Sequence, residues 1–275
     1  MDFAKLFLDQ AKTKKRKIAI AIMRPIPETI ASLKKASKYA DIVVVGAQID
    51  GFENLVEPDQ DQASEVLIKL LKDKKVEGIV RGQVKDSTTL DVFYREFNME
   101  PIPSNRKLFT AIMKKGDYSF FVTTCSVYQG MTLEDKIYEV EHTIEHMKNK
   151  FGMEPKIAVM GILRPTSKRG KFELLDSITE QCTKFYEYLI SKGYDAKEYY
   201  MEYETAVWAG CNLIVPSIGT VGNSWIKSLL YLGGWEFLAC NQLNVGDIVY
   251  EDGTRNEKDF FWHIIHAVAL CNSKK

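Results

Sequence analysis

The chain has 275 residues, of which 45% are hydrophobic and 27% are charged, as in an ordinary globular protein. Lys and Arg together number 37, and so do Asp and Glu, so the net charge gives no reason to expect nucleic acid or acidic lipid as the main partner. No apolar stretch approaches the roughly 18 residues that a membrane span requires.

The cysteines indicate a reduced, cytoplasmic protein. They are scattered along the chain without close pairs, which argues against a disulfide framework and against a structural zinc site. The apolar segment Ile18–Met23 is too short for the core of a signal peptide, so secretion is not expected. The cysteines are Cys125, Cys182, Cys211, Cys240 and Cys271.

Strands and helices alternate in the first hundred residues. Asp41–Ala47 is a run of β-branched residues, typical of a parallel sheet that is covered on both faces. Ser87 is available as the N-cap of a helix that follows it. The predicted strands are 17–23, 41–47 and 77–84, and the predicted helices are 28–40, 63–75 and 87–97.

The segment Asn98–Arg106 interrupts this alternation, because its two prolines favour a linker or a crossing between domains. A second series of strands and helices follows it. This alternation predicts an α/β protein with a mainly parallel sheet. The later predicted strands are 118–125, 156–163 and 212–217, followed by the pair 237–243 and 247–252, and the predicted helices are 133–151, 172–192, one that begins at Asn223, and 258–271.

Ligands of such sheets bind beyond the carboxyl ends of the strands. Two strand ends combine an arginine with hydroxyl groups near a helix start, which suits an anion. These are Arg81–Thr89 and Glu251–Asp259. The basic loop Gly161–Lys171 is a third such segment, although an ordinary surface loop explains it equally well. The alternative for the second segment is that Arg255 is an ordinary loop arginine, paired with Asp252 or Asp259.

A glycine-rich turn follows the strand that ends at Ser217. Gly219 and Gly222 bracket Thr220, and Asn223 is predicted to open the next helix. Either the turn is an ordinary corner of an α/β fold, or the glycines let the backbone approach a bound phosphate or pantetheine-like group.

The four histidines do not predict a metal site. His142 and His146 fit a short zinc-peptidase pattern, but they lie off the apolar stripe of their helix and are predicted to face solvent. His263 and His266 are predicted to be packing residues of the last helix. The dinucleotide fingerprint, the phosphate loop and the G-x-S-x-G elbow are absent from the sequence.

The C-terminal third resembles the phosphate acetyl/butyryltransferase family. That family has a strand, a turn from Pro to Gly-Asn, a helix, a corner of small residues and a loop with Ser-Arg or Thr-Arg. The segments Val76–Leu90, Phe121–Thr143 and Glu154–Ile162 resemble further parts of the same family in the same order. The turn is matched by Pro216, Gly222 and Asn223, the corner by 232–234, and the loop by Thr254 and Arg255.

This resemblance implies two α/β domains with mainly parallel sheets flanked by helices, as in phosphotransacetylases and isocitrate or isopropylmalate dehydrogenases. Substrates are then expected in a cleft between the domains. The first domain would contain residues 1–104 and 252–275, and the second would contain residues 105–251. A homodimer is implied as well.

We expect Arg255 to hold a small anionic substrate or to stabilise developing negative charge. Thr254 would supply a hydrogen bond, and Asp259 would act as a base. The predicted substrate-binding residues are Arg81, Gly82, Ser87, Thr88, Thr124, Ser126, Gly219, Gly222 and Asn223.

The chain also departs from active acyltransferases. Thr254 stands where most of that family has serine, and the acidic residue arrives early, at Asp259. The arginine expected after the Ser-Thr segment is missing, and Arg95 is the nearest one. These features are most similar to the MtxX branch of methanogenic archaea, whose members are called methyltransferase subunits or methanogenesis marker proteins.

Four hypotheses follow. The chain is a group-transfer protein of one-carbon metabolism, with a tetrahydromethanopterin-type carrier as substrate and methyltransferase subunits as partners. Alternatively, it is a phosphate acyltransferase that uses CoA, or an accessory subunit that binds a ligand without chemistry of its own. A plain metabolite-binding protein is also compatible with the sequence.

Overall fold

The computed structural model describes residues 2–99 and 108–273, and these divide into two compact units. We call residues 4–99 with 238–273 the terminal unit, and residues 2–3 with 108–237 the central unit. The predicted crossing at Asn98–Arg106 lies mostly outside the described residues. The domain boundaries stay a prediction, because compactness alone does not show that a unit folds independently.

The secondary structure alternates as the α/β class requires. Residues 2–99 contain α1 (Phe3–Ala11), β1 (Arg16–Ile22), α2 (Pro27–Ala36), β2 (Ala40–Gly46), β3 (Glu53–Val56), α3 (Gln60–Lys72), β4 (Gly78–Val80) and α4 (Asp86–Glu96). Residues 108–237 contain β5 (Phe109–Lys115), β6 (Tyr118–Val122), α5 (Leu133–Phe151), β7 (Lys156–Met160), α6 (Glu173–Ser191), β8 (Asp195–Tyr200), α7 (Tyr203–Trp208), β9 (Leu213–Val215) and α8 (Gly219–Tyr231). The chain then continues with β10 (Glu236–Gln242), β11 (Tyr250–Glu251) and α9 (Phe261–Asn272).

In the terminal unit the strands follow the order β3-β2-β1-β4-β11-β10. The first five run parallel to one another, and β10 is antiparallel to β11. The register places Ile20 beside Val80 and Val80 beside Glu251, so β1, β4 and β11 end at the same edge of the sheet. We call this edge, with the loops that follow the three strands, the terminal edge.

In the central unit the order is β5-β6-β9-β7-β8. Strand β5 is antiparallel to β6, whereas β6, β9, β7 and β8 are parallel. The ends of β6 and β9, with the loops that follow them, form what we call the central edge. The predicted α/β class with mainly parallel strands flanked by helices is therefore confirmed.

Two predicted helix starts need correction. Helix α8 begins at Gly219, four residues before the predicted start at Asn223, so Gly222 and Asn223 lie within its first turns. Helix α4 begins at Asp86 with Lys85 at the N-cap position, so Ser87 lies inside the helix and does not cap it. In each case the backbone turns earlier than the polar side chain suggested.

Three general features can be stated for residues 2–99 and 108–273. No helix there combines the length and the apolar character that crossing a bilayer demands. The five cysteines are free thiols with buried side chains. No group of three or more His, Cys, Asp or Glu side chains in these ranges could hold a metal ion.

Candidate functional site

Arg81 is the first residue of the terminal edge after β4, and its side chain is buried. Its guanidinium forms an ion pair with Asp252, and it donates to the carbonyl oxygens of Gly253 and, at 2.5 Å, of Val84. Burial alone would lower the pKa of the guanidinium, but the carboxylate of Asp252 outweighs this effect and the pKa is raised. Arg81 therefore fastens the loop after β11 to the end of β4, and its donors are not available to a substrate as predicted.

The backbone conformation and the close packing at position 82 both require glycine. Its φ is +65°, and a Cβ atom there would lie 2.0 Å from the carbonyl oxygen of Ala21. The next residue, Gln83, is buried and accepts hydrogen bonds from the backbone of Met23 (2.9 Å) and Arg24 (2.7 Å). The segment that was predicted to contact substrate through Gly82 instead holds the loop after β1.

Two exposed arginines meet at the terminal edge. The Arg24 side chain donates to the carbonyl oxygen of Arg255 over 3.3 Å, and both residues are exposed. Arg255 was predicted from the sequence, whereas Arg24 was not. The same rule would have found Arg24, because it follows the buried strand β1 as Arg81 follows β4. Asp252 pairs with Arg81, so the alternative in which it neutralises Arg255 is wrong.

Thr254 and Asp259 are held by local hydrogen bonds. The backbone of Thr254 donates to Glu257 Oε2 (3.3 Å), and the backbone of Glu257 donates to the Thr254 carbonyl (3.0 Å). We call these residues, Thr254–Glu257, the Arg255 turn. The exposed Asp259 accepts from the backbone of Phe261 (2.8 Å), so the predicted base stabilises the start of α9.

Ser87 and Thr88 lie in the first turn of α4, where Ser87 is exposed and Thr88 is half-buried. Their hydroxyls follow β4 at the terminal edge, as predicted. Asp86 opens the same turn with an acidic side chain, which favours the helix dipole but disfavours a bound anion there.

At the central edge, five predicted residues come together: Thr124, Ser126, Gly219, Gly222 and Asn223. The buried Gln129 accepts from the backbone of Cys125 (2.8 Å) and Ser126 (2.7 Å) and so shapes the loop after β6. Asn223 donates to the Cys125 carbonyl at 3.0 Å, which joins α8 to that loop.

The glycines of α8 make this contact possible. A Cβ atom on Gly219 would lie 1.8 Å from the carbonyl oxygen of Ser126, and one on Gly222 would lie 2.2 Å from that of Thr124. The backbone of Gly219 also donates to Gln129 O at 2.8 Å. The space beside the glycines is therefore filled by protein backbone. This packing explains why both positions are glycine, and binding of a phosphate at the turn stays a prediction.

Sequence reasoning missed two buried charged residues of α5, Lys136 and Glu139. Lys136 donates to the carbonyl oxygens of Gly130 and Ser217, which joins the two loops of the central edge. Glu139 accepts from the Thr124 hydroxyl (2.7 Å) and the Gly130 backbone (2.7 Å). Burial raises the pKa of Glu139 to about 8 and lowers the pKa of Lys136. Neither residue carried a sequence signal, because polar residues beside an apolar helical stripe are ordinary.

The histidines of α5 and α9 and the basic loop 161–171 lie in different environments. His142 is half-buried and lies 2.8 Å from the Tyr138 carbonyl oxygen, so it does not simply face solvent. His263 and His266 are fully buried as predicted, but each also contacts the carboxylate of Glu251. In the basic loop 161–171, the Gly170 backbone donates to Asp176 at 2.7 Å, and the cationic side chains are exposed.

Comparisons with known proteins agree with this architecture. No protein-family model matches the chain. The chain is 28% identical over 271 residues to "Putative methyltransferase mtx subunit X" of Methanosarcina mazei, covering 97% of this chain and 94% of that protein. It is 27% identical over 272 residues to the protein of the same name from Methanosarcina barkeri, covering 97% of each.

Solved structures show the same fold at low sequence identity. A branched-chain phosphotransacylase from Enterococcus faecalis has a TM-score of 0.67 and 14% identity, covering 94% of this chain and 99% of that one. A phosphotransacetylase from Streptococcus pyogenes has a TM-score of 0.63 and 15% identity, covering 98% and 99%. A 4-hydroxythreonine-4-phosphate dehydrogenase from Klebsiella pneumoniae follows at 0.59 and 10%, covering 95% and 99%. The chain thus has the phosphotransacetylase fold and resembles, over almost its whole length, the archaeal proteins named as mtx subunit X.

Proposed function

We propose that this chain is a group-transfer subunit that binds a small anionic substrate at the terminal edge. The observation that carries the proposal is the contact of the exposed Arg24 side chain with the backbone of the exposed Arg255. Two guanidinium groups that follow β1 and β11, the strands on either side of β4, suit a phosphate or carboxylate. Charged hydrogen bonds to such groups are strong and geometrically specific.

The chemistry of this edge is electrostatic. Arg24 and Arg255 would hold the anion and stabilise negative charge that develops during transfer. Ser87, Thr88 and Thr254 would supply hydrogen bonds. The buried ion pair of Arg81 and Asp252 helps to position Arg255, because it fixes the start of the loop that contains Arg255.

The transferred group is inferred from the relatives' names. Because the Methanosarcina proteins are named as methyltransferase subunits, we propose one-carbon transfer in methanogenesis, with a tetrahydromethanopterin-type carrier as substrate and further methyltransferase subunits as partners. Alternatively, the terminal edge binds the substrates of acyl transfer between CoA and phosphate.

One observation favours an accessory subunit without chemistry of its own. The predicted base, Asp259, accepts a hydrogen bond from the start of α9 and lies exposed. One oxygen of this carboxylate is therefore committed to the start of the helix rather than to a substrate proton. In this version, the arginines bind a ligand, and a partner subunit carries out the transfer.

Ligand-induced thermal stabilisation tests these proposals. The ligands are phosphate, acetyl phosphate, CoA, acetyl-CoA and a tetrahydromethanopterin-type carrier. A ligand at 100 times its Kd adds about 2.7 kcal/mol of stability. We expect Arg24→Ala and Arg255→Ala to weaken binding of the anionic ligands about tenfold or more, since a hydrogen bond to a charged group contributes about 1.5–3 kcal/mol.

Arg95→Ala, at an exposed position of α4 where Arg95 pairs with Glu65 and Glu96, is the control and should bind as the unchanged protein does. Equal binding by all three variants would contradict the terminal-edge site. Stabilisation by CoA or acetyl phosphate would favour acyl transfer, and stabilisation by the carrier alone would favour one-carbon transfer. If no ligand stabilises the protein, capture of methyltransferase partners and a sedimentation test for the homodimer become the relevant measurements.

A further inference from the structure

A series of buried polar side chains connects β11 and α9 to the Arg255 turn. Glu251 of β11 is fully buried, and each of its carboxylate oxygens contacts a histidine of α9. Oε1 lies 2.9 Å from His263 Nδ1, and Oε2 lies 2.8 Å from His266 Nδ1. The backbone of Cys240 also donates to Oε1, at 2.5 Å. The carboxylate is therefore well supplied with hydrogen-bond partners inside the protein.

His263 contacts two carboxylates, that of Glu251 and that of Glu257. Its Nε2 lies 3.0 Å from Glu257 Oε2, while its Nδ1 contacts Glu251. An imidazole ring donates from both nitrogens only when it is protonated. Burial lowers the pKa of His263, but Glu257 and Glu251 together raise it to about 10. At neutral pH, His263 is an imidazolium between two carboxylates.

Glu257 connects His263 to the backbone of the Arg255 turn. The same Oε2 atom accepts from the Thr254 backbone at 3.3 Å, and the Glu257 backbone donates to the Thr254 carbonyl at 3.0 Å. Gly253 packs against the pair, since a Cβ atom there would lie 3.2 Å from Glu257 Oε2 and 3.4 Å from the His263 ring. The His263 ring and the Glu257 carboxylate therefore line the side of Gly253 on which a Cβ atom would stand, directly before Thr254 and Arg255.

We infer that His263 is a positioning residue, which binds the Glu257 carboxylate and thereby fixes the Arg255 turn. The charged and titratable groups that face it are Glu251 from β11 and Glu257 from the turn, with His266 sharing Glu251 and the ring of Phe260 packed nearby. The effect on anion binding rests on the function proposed above, whereas the ordering of the turn does not.

Hydrogen exchange of residues 253–258, followed by mass spectrometry, tests the inference in the full chain. His263→Gln removes the contact with Glu257, and His266→Gln is the matched control. Both histidines lie buried on α9 and contact Glu251, but the Glu257 contact belongs to His263. With each variant measured at the same interval below its own Tm, exchange in His263→Gln should accelerate about tenfold or more, as loss of a buried ion pair implies. His266→Gln should stay within about twofold of the unchanged protein. Equal acceleration in both variants, or in neither, would overturn the inference.

Glu257→Gln provides a second route if His263→Gln does not fold. It weakens the same contact from the turn, and its side chain is less deeply buried than that of His263. The same local acceleration is expected, and unchanged protection would overturn the inference.

Inorganic phosphate binding separates the two proposals. His263→Gln and Glu257→Gln should raise the Kd several-fold, and His266→Gln should not. If the unchanged protein does not bind phosphate, the anion site fails, and the exchange result alone decides the role of His263.

Discussion

Arg81 and Asp252 form a buried ion pair between residues that lie 171 positions apart in the chain. The pair joins the ends of two neighbouring parallel strands, because Val80 of β4 lies beside Glu251 of β11. Asp252 opens the loop in which Thr254 and Arg255 stand. The position of the exposed Arg255 therefore depends on a contact that is itself hidden from solvent.

We expect Arg81→Met to destabilise the protein by about 3–5 kcal/mol, because it leaves the Asp252 carboxylate buried without its partner. Urea unfolding measures this loss. Arg95→Met is the control, since Arg95 forms exposed pairs with Glu65 and Glu96 that contribute at most about 1 kcal/mol. Equal losses in the two variants would show that the interior pair is not formed in solution.

Gly222→Ala should destabilise the protein although alanine is the better helix former. Helix propensity alone would add about 1 kcal/mol of stability. The new Cβ atom, however, would lie 2.2 Å from the Thr124 carbonyl oxygen, so α8 has to move away from the loop after β6. A net loss of about 1–3 kcal/mol is expected from such overpacking. Thermal unfolding is the measurement, with the exposed Ser224→Ala in the same helix as control. A stabilised Gly222→Ala would contradict the close contact.

The thiols should be almost inert in the native protein. All five cysteines are buried, and burial raises the pKa of Cys182 to about 11 and also raises that of Cys211. Since the thiolate is the reactive form, a chromogenic thiol reagent should react slowly at neutral pH and quickly after unfolding in guanidinium. Rapid reaction of any thiol in the folded protein would place that cysteine nearer the surface than the structure does.

The strands that the sequence predicted are those with a continuous apolar pattern, such as β1 and β2, which are buried along most of their length. Strands β3 and β8 were missed because they stand at the ends of the strand orders and expose polar side chains. Strand β5 was missed as well, although it is buried along most of its length. An edge strand is covered by fewer neighbours, so its sequence lacks the apolar run that makes a buried strand recognisable.

The candidate site shows the same limit. The rule that ligand-facing loops follow parallel strands is local, and it led to Arg255 and to residues in the loops after β6 and β9. The contact between those two loops was not predicted. Whether a side chain is free or occupied depends on partners far away in the chain. Lys136, for example, binds a carbonyl oxygen 81 positions distant. Spacing along the sequence carries no information about such a contact.

The pH dependence of stability should reveal Glu139. Burial raises the pKa of its carboxyl from an ordinary 4.5 to about 8 in the folded protein, so the folded state holds a proton that the unfolded state has lost between these values. The free energy of unfolding should therefore fall as the pH rises from about 4.5 to about 8, by up to about 1.4 kcal/mol per pH unit from this group.

Glu139→Gln removes the titration and keeps a side chain of similar size, whose amide oxygen can accept from the Gly130 backbone while its NH2 group donates to the Thr124 hydroxyl. Urea unfolding at a series of pH values should show that this variant loses less stability than the unchanged protein across the same window. Glu145→Gln, an exposed position on the same helix, is the control and should leave the difference unchanged. Parallel pH profiles for Glu139→Gln and the unchanged protein would mean that Glu139 is ionised in the fold, with Lys136 neutralising it.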